Sequence, residues 1–315
     1  MAPEGGPNYE RLGVKTCQRK LADGCPVSPF DLDQPVPSHS ARSARSRFAE
    51  LVSLNDDQIN LAEATLLIAA EEYTRLNIPD YLEKIDHFGD LARQRAAGSD
   101  DPNDVISALN STLFDDLGFH GNRDTYYDPR NSFLNQVIDR RTGIPITLSV
   151  VYIEVAKRIG FQVQGVGLPY HFLAKHETEA GDIFIDPFNE GRLLNASGCA
   201  GLLTEMTGGK DELQPEHLES ISNKRILARI LLNLLGLYKA SDPRRALSTI
   251  ERLLLINPDY APHIRLRGTL LASTGDQTNA IAELERYLAL VPDSEDVDAI
   301  REQIQAIHLN RVRLN

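Results

Sequence analysis

Two segments near the C-terminal end of the chain repeat one pattern at a spacing of 34 residues. They are 246–259 (ALSTIERLLLINPD) and 280–293 (AIAELERYLALVPD). The matching pairs are Ala246 with Ala280, Ile250 with Leu284, Leu254 with Leu288, and Pro258 with Pro292. In both copies the apolar residues recur at helical spacing, and a proline follows where a helix would end. Because a unit of this length cannot bury its apolar face alone, the copies must stack on one another and on neighbouring helices.

The length of the repeat and the positions of its alanine and proline are typical of the tetratricopeptide repeat, a helix–turn–helix unit. Gly268 falls where that repeat needs a small residue for close helix packing, whereas the first copy has Leu234 there. Two copies are fewer than the usual minimum of three. We therefore expect a helical repeat region over 220–308 that packs on the rest of the chain and is closed by a final helix at about 295–308.

A strongly apolar segment that begins at Pro145 and ends at Gly160 predicts a buried helix, because its apolar residues lie on nearly every side. Three short segments with strand character follow it: 161–168, 171–177 and 182–188. One buried helix followed by antiparallel strands indicates an α+β fold. We assign residues 119–215 to this core.

Helical periodicity also marks the chain before the core. Apolar stripes predict three helices within 48–118, and a unit of about 70 residues would be marginally stable alone, so we expect it to pack on the core. Residues 1–45 are rich in Pro, Gly and Ser and show no sustained period, which predicts a disordered tail. The basic stretch at 37–47 is interpreted as a solvated part of that tail, with a partner-binding tail as the alternative.

Charge and cysteine content argue against several functional classes. The net charge of −12 disfavours nucleic acid and anionic membranes as partners, because both require clustered Lys and Arg. The three cysteines, Cys17, Cys25 and Cys199, form neither a disulfide framework nor a zinc-binding pattern. No phosphate-binding glycine loop and no EF-hand spacing is present, so we predict no cofactor and no metal. Because no apolar leader or membrane-spanning run is visible, we expect the cytoplasm as the location.

The core carries a resemblance to a known family. The stretch YYDPRNSFLNQVIDRRTGIPITLSVVYIEVAKRIG (126–160), with HFLAK (171–175) and IDPFNEG (185–191), resembles the transglutaminase-like superfamily and, more closely, the SirB-type bacterial proteins. The resemblance covers roughly 48–295 and implies a papain-like core followed by tetratricopeptide repeats. A related domain occurs in some F-box proteins, which suggests regulation of partner turnover by analogy alone.

The resemblance implies a site at the start of the buried helix. In catalytic members of the superfamily a cysteine begins that helix, where the helix dipole favours a thiolate. Here the equivalent residue is Pro145, and sliding the register by two or four residues brings Thr147 or Ser149 to that position. His171 and Asp186 match the family's base and the carboxylate that orients it. SirB-type proteins generally share this loss of the cysteine.

Neighbouring residues add candidates for binding. Asn135, Tyr170 and His171 are predicted binding residues, and Asn131 is interpreted as a helix cap. Thr147 also has a structural interpretation, as a cap or packing residue in the first turns of a helix.

Two functional hypotheses remain open. In the first, the chain is a non-catalytic pseudoenzyme that binds a protein or peptide partner through a groove around His171 and Asp186 and through the repeats at 220–308. In the second, it is a hydrolase or acyl-transfer enzyme in which Thr147 or Ser149 attacks with His171 as the base. The proline at the nucleophile position favours the first hypothesis, in which His171 and Asp186 form a relic pair or line a binding groove.

Overall fold

The structure, a computed structural model, describes the backbone of residues 39–314 and the side chains of residues 42–309. Its first helix, α1, spans His39–Ser53. The tail predicted over 1–45 therefore lies mostly outside the described residues, and its last part, 39–45, is helical rather than disordered. The basic stretch at 37–47 is not a solvated tail either. Ala44 within it and Phe48 directly after it are buried. Together with Leu51 and Val52 they form an apolar stripe at helical spacing, which the flanking arginines and serines obscured.

Three helices follow α1 and form the N-terminal helical unit: α2 (Leu61–Ala70), α3 (Ile78–Ala96) and α4 (Pro102–Asn110). Asn60 caps α2 by accepting the backbone N–H of Glu63 at 3.1 Å, and Asp101 caps α4 in the same way. α4 continues into a π-helical turn, Ser111–Asp116. Residues along α2 are almost all buried, so this helix lies in the interior of the molecule.

The core begins with a short parallel pair of strands, β1 (His120–Gly121) and β2 (Thr142–Gly143), separated in sequence by α5 (Leu134–Arg140). The helix predicted from Pro145 is present as α6, which spans Pro145–Arg158. Every residue of α6 from Pro145 to Ala156 is buried, as its apolar composition predicted.

A five-stranded sheet in the order β6-β5-β4-β3-β7 packs against α6. Its strands, all paired antiparallel, are β3 (Gln164–Val166), β4 (Leu173–His176), β5 (Ile183–Asp186), β6 (Arg192–Leu194) and β7 (Ser220–Ile221). The first three lie within the predicted strand segments, whereas the short edge strands β6 and β7 carry no clear sequence signal. The pairing of β4 with β5 brings the residues around 171 and 186 to the same end of the sheet.

The two faces of the sheet bury different clusters. Ala174 and Ile185 belong to the main apolar cluster that contains α6, whereas Leu173 and Phe184 belong to a smaller one. That smaller cluster is completed by α7 (Ala196–Thr207), so helices cover both faces. Adjacent strand residues point to opposite faces, which explains why neighbours enter different clusters.

The C-terminal region consists of five helices: α8 (Asn223–Tyr238), α9 (Pro243–Ile256), α10 (Ala261–Ser273), α11 (Gln277–Leu290) and α12 (Val297–Leu314). Consecutive helices pack on one another, as expected for helix–turn–helix repeats followed by a closing helix. A Cβ atom on Gly268 would lie 2.8 Å from Cγ of Leu284, so the second repeat does require glycine at that position. None of the helices that the structure describes is long and apolar enough to cross a membrane.

The repeat helices share one apolar cluster with the rest of the molecule. Asp56, in the turn between α1 and α2, accepts hydrogen bonds from the backbone N–H groups of Asn223 and Lys224 at 2.8 and 2.9 Å. A carboxylate at this place satisfies the free N–H groups at the start of α8. The repeats therefore pack on the N-terminal helices, as two repeats alone would require.

Candidate functional site

The N-terminus of the buried helix α6 is the place where the resemblance predicts a nucleophile. Pro145 is its first residue and is itself buried. Proline suits the first turn of a helix because it lacks the N–H that would have no partner there. It has no group that could attack a substrate, so the chemistry would have to come from a neighbouring side chain.

Thr147 and Ser149, the two hydroxyl residues that follow, are both fully buried. The Thr147 hydroxyl donates to the carbonyl of Asn131 at 2.7 Å and accepts the backbone N–H of Ile144 at 3.2 Å. The Ser149 hydroxyl makes a long contact, 3.5 Å, with the carbonyl of Phe172. Thr147 therefore caps α6, and neither hydroxyl makes a hydrogen bond with the His171 ring.

His171 and Asp186 form the pair that the sequence predicted. The His171 Nε2 lies 2.9 Å from Asp186 Oδ1, and both side chains are buried. Burial alone would raise the pKa of Asp186, but the hydrogen bonds from His171 and Asn189 outweigh burial and hold this pKa below its ordinary value. The Nδ1 of His171 makes no hydrogen bond within the described part of the chain, so it is the ring nitrogen that could meet a ligand.

Asp186 has a second, structural task. Its carboxylate accepts the backbone N–H groups of Phe188 and Asn189 and the side-chain amide of Asn189. It therefore caps the short 3₁₀ turn Pro187–Asn189 that ends β5. Asp186 therefore has a structural role in this fold that does not depend on catalysis.

The loop that carries His171 is strained and held from outside the core. Tyr170 has a φ of 62°, a left-handed conformation that is costly for a residue with a β-carbon. Arg229 on α8 donates to the carbonyls of Leu168 and His171 at 2.8 and 2.7 Å. A hydrogen bond to Asp211 holds the Tyr170 phenol; burial, and then the Asp211 charge, raise the pKa of Tyr170.

Cys199 does not have the properties of a nucleophilic cysteine. It is fully buried on α7, and burial, with a smaller contribution from Asp186, raises the pKa of its thiol to about 11. A nucleophilic cysteine needs the opposite, an accessible thiol with a lowered pKa. Cys17 and Cys25 lie outside the described residues.

His171 belongs to a group of aromatic residues that sequence reasoning missed; the two tyrosines of this group are exposed, whereas His171 and Phe188 are buried. The His171 ring packs edge-on against Phe188, with ring centroids 6.0 Å apart, and Tyr126 packs against the same Phe188 at 6.1 Å. Tyr127 continues the series at 5.4 Å from Tyr126. We call these four residues, His171, Phe188, Tyr126 and Tyr127, the aromatic surface. The paired tyrosines in a polar loop were the available sequence signal.

The loop bearing these tyrosines is fixed by Asn131, which is not the helix cap that we predicted. Its buried amide donates to the carbonyls of Thr125 and Tyr126 at 2.8 and 3.2 Å, and its Oδ1 accepts from Asn122 at 3.0 Å. α5 begins only at Leu134, with Phe133 as its N-cap. Asn131 thus determines where the aromatic surface stands.

Asn135, the other predicted binding residue of this segment, is buried on α5. No hydrogen bond joins it to His171, and its Oδ1 has no partner among the described residues. The described residues hold no group of His, Cys, Asp and Glu with the arrangement of a metal site.

Two family models cover the folded chain. A transglutaminase-like superfamily model matches residues 79–232, and a tetratricopeptide repeat model matches residues 236–305. The match to the first ends within α8, close to where the repeats begin. The chain therefore combines a transglutaminase-like core with tetratricopeptide repeats, as its sequence predicted.

Three curated relatives match different shares of the chain. A UPF0162 protein of Xylella fastidiosa (strain Temecula1) is 35% identical over 267 residues, which cover 84% of this chain and 95% of that protein. A UPF0162 protein of Vibrio cholerae is 28% identical over 206 residues, 64% of this chain and 76% of that protein. F-box only protein 21 of Mus musculus is 36% identical over 184 residues, but these cover 54% of this chain and only 28% of that protein. By its similarity along nearly the whole Xylella protein, the chain belongs to the UPF0162 protein family.

Proposed function

We propose that this protein is a non-catalytic, transglutaminase-like binding module that recognises a protein or peptide partner. The observation that carries the proposal is that Pro145 begins α6, at the position where the resemblance predicts the superfamily's nucleophile. Under this proposal the chain is a SirB-type pseudoenzyme that works in the cytoplasm without cofactor or metal. Its net charge of −12 supports a protein partner over nucleic acid or an anionic membrane.

The hydrogen bonding of the two candidate hydroxyls supports the absence of catalysis. A serine or threonine is a weak nucleophile unless a base lies within about 3 Å of its hydroxyl and substrate can reach it. Thr147 is already bonded to the Asn131 carbonyl, and Ser149 is fully buried beside the Phe172 carbonyl. Either residue would have to leave the packed interior before it could attack.

The architecture supports partner binding. Tetratricopeptide repeats present helix faces that commonly bind peptides, and the core adds a partly exposed aromatic surface next to His171. We propose that Tyr170 and His171 contribute to binding at the core, and that the helices within 220–308 contribute a second binding face. Asn135 belongs to this proposal through its orphaned oxygen, which a ligand or a bound water would satisfy.

One observation favours the alternative, a hydrolase or acyl-transfer enzyme that uses Thr147 or Ser149. His171 and Asp186 form the hydrogen bond that orients the base in catalytic members of the superfamily, and the His171 Nδ1 has no partner among the described residues. The capping role of Asp186 in the turn at 187–189 accounts for the carboxylate without catalysis, so we rank this alternative second.

Assays of amine incorporation, amide hydrolysis and ester hydrolysis separate the two functions. We expect the wild-type chain and His171→Ala to give the same background rate with each substrate class. His176→Ala is the matched control, because His176 ends β4, the strand that follows His171, and its ring bonds the Gln162 carbonyl instead of a carboxylate. Turnover above background that His171→Ala removes and His176→Ala retains would establish the enzyme and end the proposal.

A further inference from the structure

Three arginines without a carboxylate partner surround the aromatic surface. They are Arg123, Arg225 and Arg229, and among the described residues none of them forms an ion pair. Arg123 stacks over the Phe188 ring at 5.1 Å and bonds the Asn189 side chain, while Arg225 lies one turn from Arg229 along α8. In a chain with a net charge of −12, a concentration of unneutralised cations at one place is unexpected.

Arg229 is the most informative of the three. Its hydrogen bonds to the carbonyls of Leu168 and His171 both use Nη2, so the Nε and Nη1 donors of the guanidinium have no partner among the described residues. Burial lowers the pKa of Arg229 to about 10, with Tyr126 close enough to offset part of this effect. A largely buried cation without a counter-ion costs free energy, and a carboxylate supplied by a ligand would recover it.

The tyrosines beside Arg229 are accessible to a partner. Tyr127 is 72% exposed and Tyr126 is 37% exposed, although both are large aromatic residues. Exposed tyrosines next to arginines are typical of protein recognition sites, because both side chains combine apolar area with fixed hydrogen-bond donors. The aromatic surface is thus flanked by Arg123, which stacks on Phe188, and by Arg229, which interacts with Tyr126, and Arg225 lies one helical turn beyond Arg229. We call these residues together the patch.

We propose that this patch binds an acidic peptide segment of a partner protein, with a side-chain carboxylate of the peptide paired to Arg229 and its neighbouring residues lying on Tyr126 and Tyr127. This inference rests on the proposed function and names the chemistry of the ligand.

The inference is tested by selecting random heptapeptides, displayed on phage without a free C-terminus, on the full-length chain. We expect the selected peptides to be enriched in Asp and Glu. The peptides are then synthesised with blocked ends, and their affinities are measured by fluorescence anisotropy. We expect Arg229→Gln to weaken binding about tenfold or more, since charge-assisted hydrogen bonds are the strong ones, and Tyr127→Ser and Arg225→Gln to weaken it severalfold.

A double-mutant cycle identifies the contact. Replacing the peptide's Asp or Glu by Asn or Gln should weaken binding to the wild-type chain and leave binding to Arg229→Gln unchanged. Arg286→Gln is the control, because it removes an exposed arginine that pairs with Asp259 on the repeats. Tyr127 and Arg225 are exposed, so their variants do not depend on how well Arg229→Gln folds.

The outcomes separate this inference from the proposed function. Selected peptides without acidic enrichment, or a cycle without coupling, would overturn the carboxylate contact while leaving peptide binding intact. No selection of any peptide above an inert protein would count against the proposed function itself. Acidic peptides that bind only an Asp31→Asn/Asp33→Asn variant would show that the chain's own N-terminal segment covers the patch, which overturns a separate partner.

Discussion

Arg252 and Arg229 are both arginines that the fold removes largely from solvent, but their surroundings differ. Arg252, on α9, donates to the carbonyl of Ile68 at 2.9 Å and lies 3.9 Å from Glu71. Glu71 in turn receives two hydrogen bonds from Arg45 on α1. Arg229 donates to two carbonyls of the His171 loop and meets no carboxylate among the described residues.

The difference indicates separate tasks for the two regions. At the junction of α1, α2 and α9, charges of opposite sign neutralise one another inside the protein, so the network stabilises the packing of the repeats on the N-terminal helices. Beside His171, the charge of Arg229 has no carboxylate partner among the described residues. Under our proposal, this charge reduces stability and serves the interaction with a partner.

The largest loss of stability is expected at the junction of α1, α2 and α9, where charges of opposite sign neutralise one another. Arg252→Gln should lower the free energy of unfolding by about 3 kcal/mol, because it leaves the buried Glu71 carboxylate with one positive partner fewer. Urea denaturation followed by circular dichroism measures the change. Arg286→Gln, which breaks an exposed pair with Asp259, should cost less than about 1 kcal/mol. An equal loss of unfolding free energy in the two variants would show that the buried charges around Glu71 do not stabilise the packing of the repeats.

In the second repeat, the largely buried side chain of His263 is uncharged at neutral pH. Burial lowers the pKa of His263 to about 4, and its Nδ1 has no partner among the described residues. In the unfolded chain the His263 imidazole takes up a proton near pH 6.5, whereas in the folded chain it does so only near pH 4. The stability that the neutral imidazole contributes is therefore fully present above pH 6.5 and is lost as the pH falls towards 4.

At about 1.4 kcal/mol for each pH unit, His263 should account for a loss of up to about 2 kcal/mol between pH 7.5 and pH 5. His263→Gln should reduce the pH dependence of the free energy of unfolding by that amount. His308→Gln, on the exposed side of α12, is the matched control and should leave the pH profile as it is. An unaltered profile in His263→Gln would show that folding does not lower the pKa of this histidine.

A smaller effect is expected from the backbone strain beside Arg229. Tyr170→Gly should be more stable than Tyr170→Ala by about 1 kcal/mol, because only glycine adopts a φ of 62° without strain from a β-carbon. Both variants remove the contact with Asp211, so thermal unfolding of the two isolates the strain. Equal stability of the glycine and alanine variants would mean that the loop relaxes when the phenol is removed.

The sequence was sufficient wherever neighbouring residues determine the structure. The apolar run from Pro145 predicted α6, and the 34-residue spacing predicted the helices α8 to α11. The resemblance placed His171 and Asp186 as partners, and β4 and β5 do bring them together. In each of these cases the signal is a local period or a motif.

The sequence was insufficient where the partners are far apart along the chain. Arg45 was interpreted as part of a solvated tail, yet it bonds Glu71 and Glu251, which lie 26 and 206 residues away. Arg229 donates hydrogen bonds to the carbonyls of residues about 60 positions earlier, and no sequence pattern around it predicts that contact. Asn131 looked like a helix cap because it precedes an apolar run, but tertiary packing turned its side chain towards the loop at 122–126.

The comparison is tested most directly by measuring two quantities, the free energy of unfolding and the affinity for the selected acidic heptapeptides, on Arg229→Gln and Arg252→Gln. We predict that Arg229→Gln loses about tenfold or more in affinity while its free energy of unfolding stays within about 1 kcal/mol of the wild type, since the lost hydrogen bonds are offset by removal of an uncompensated charge. Arg252→Gln should show the converse. An Arg229→Gln variant that unfolds as readily as Arg252→Gln and binds the peptides like the wild type would contradict the account.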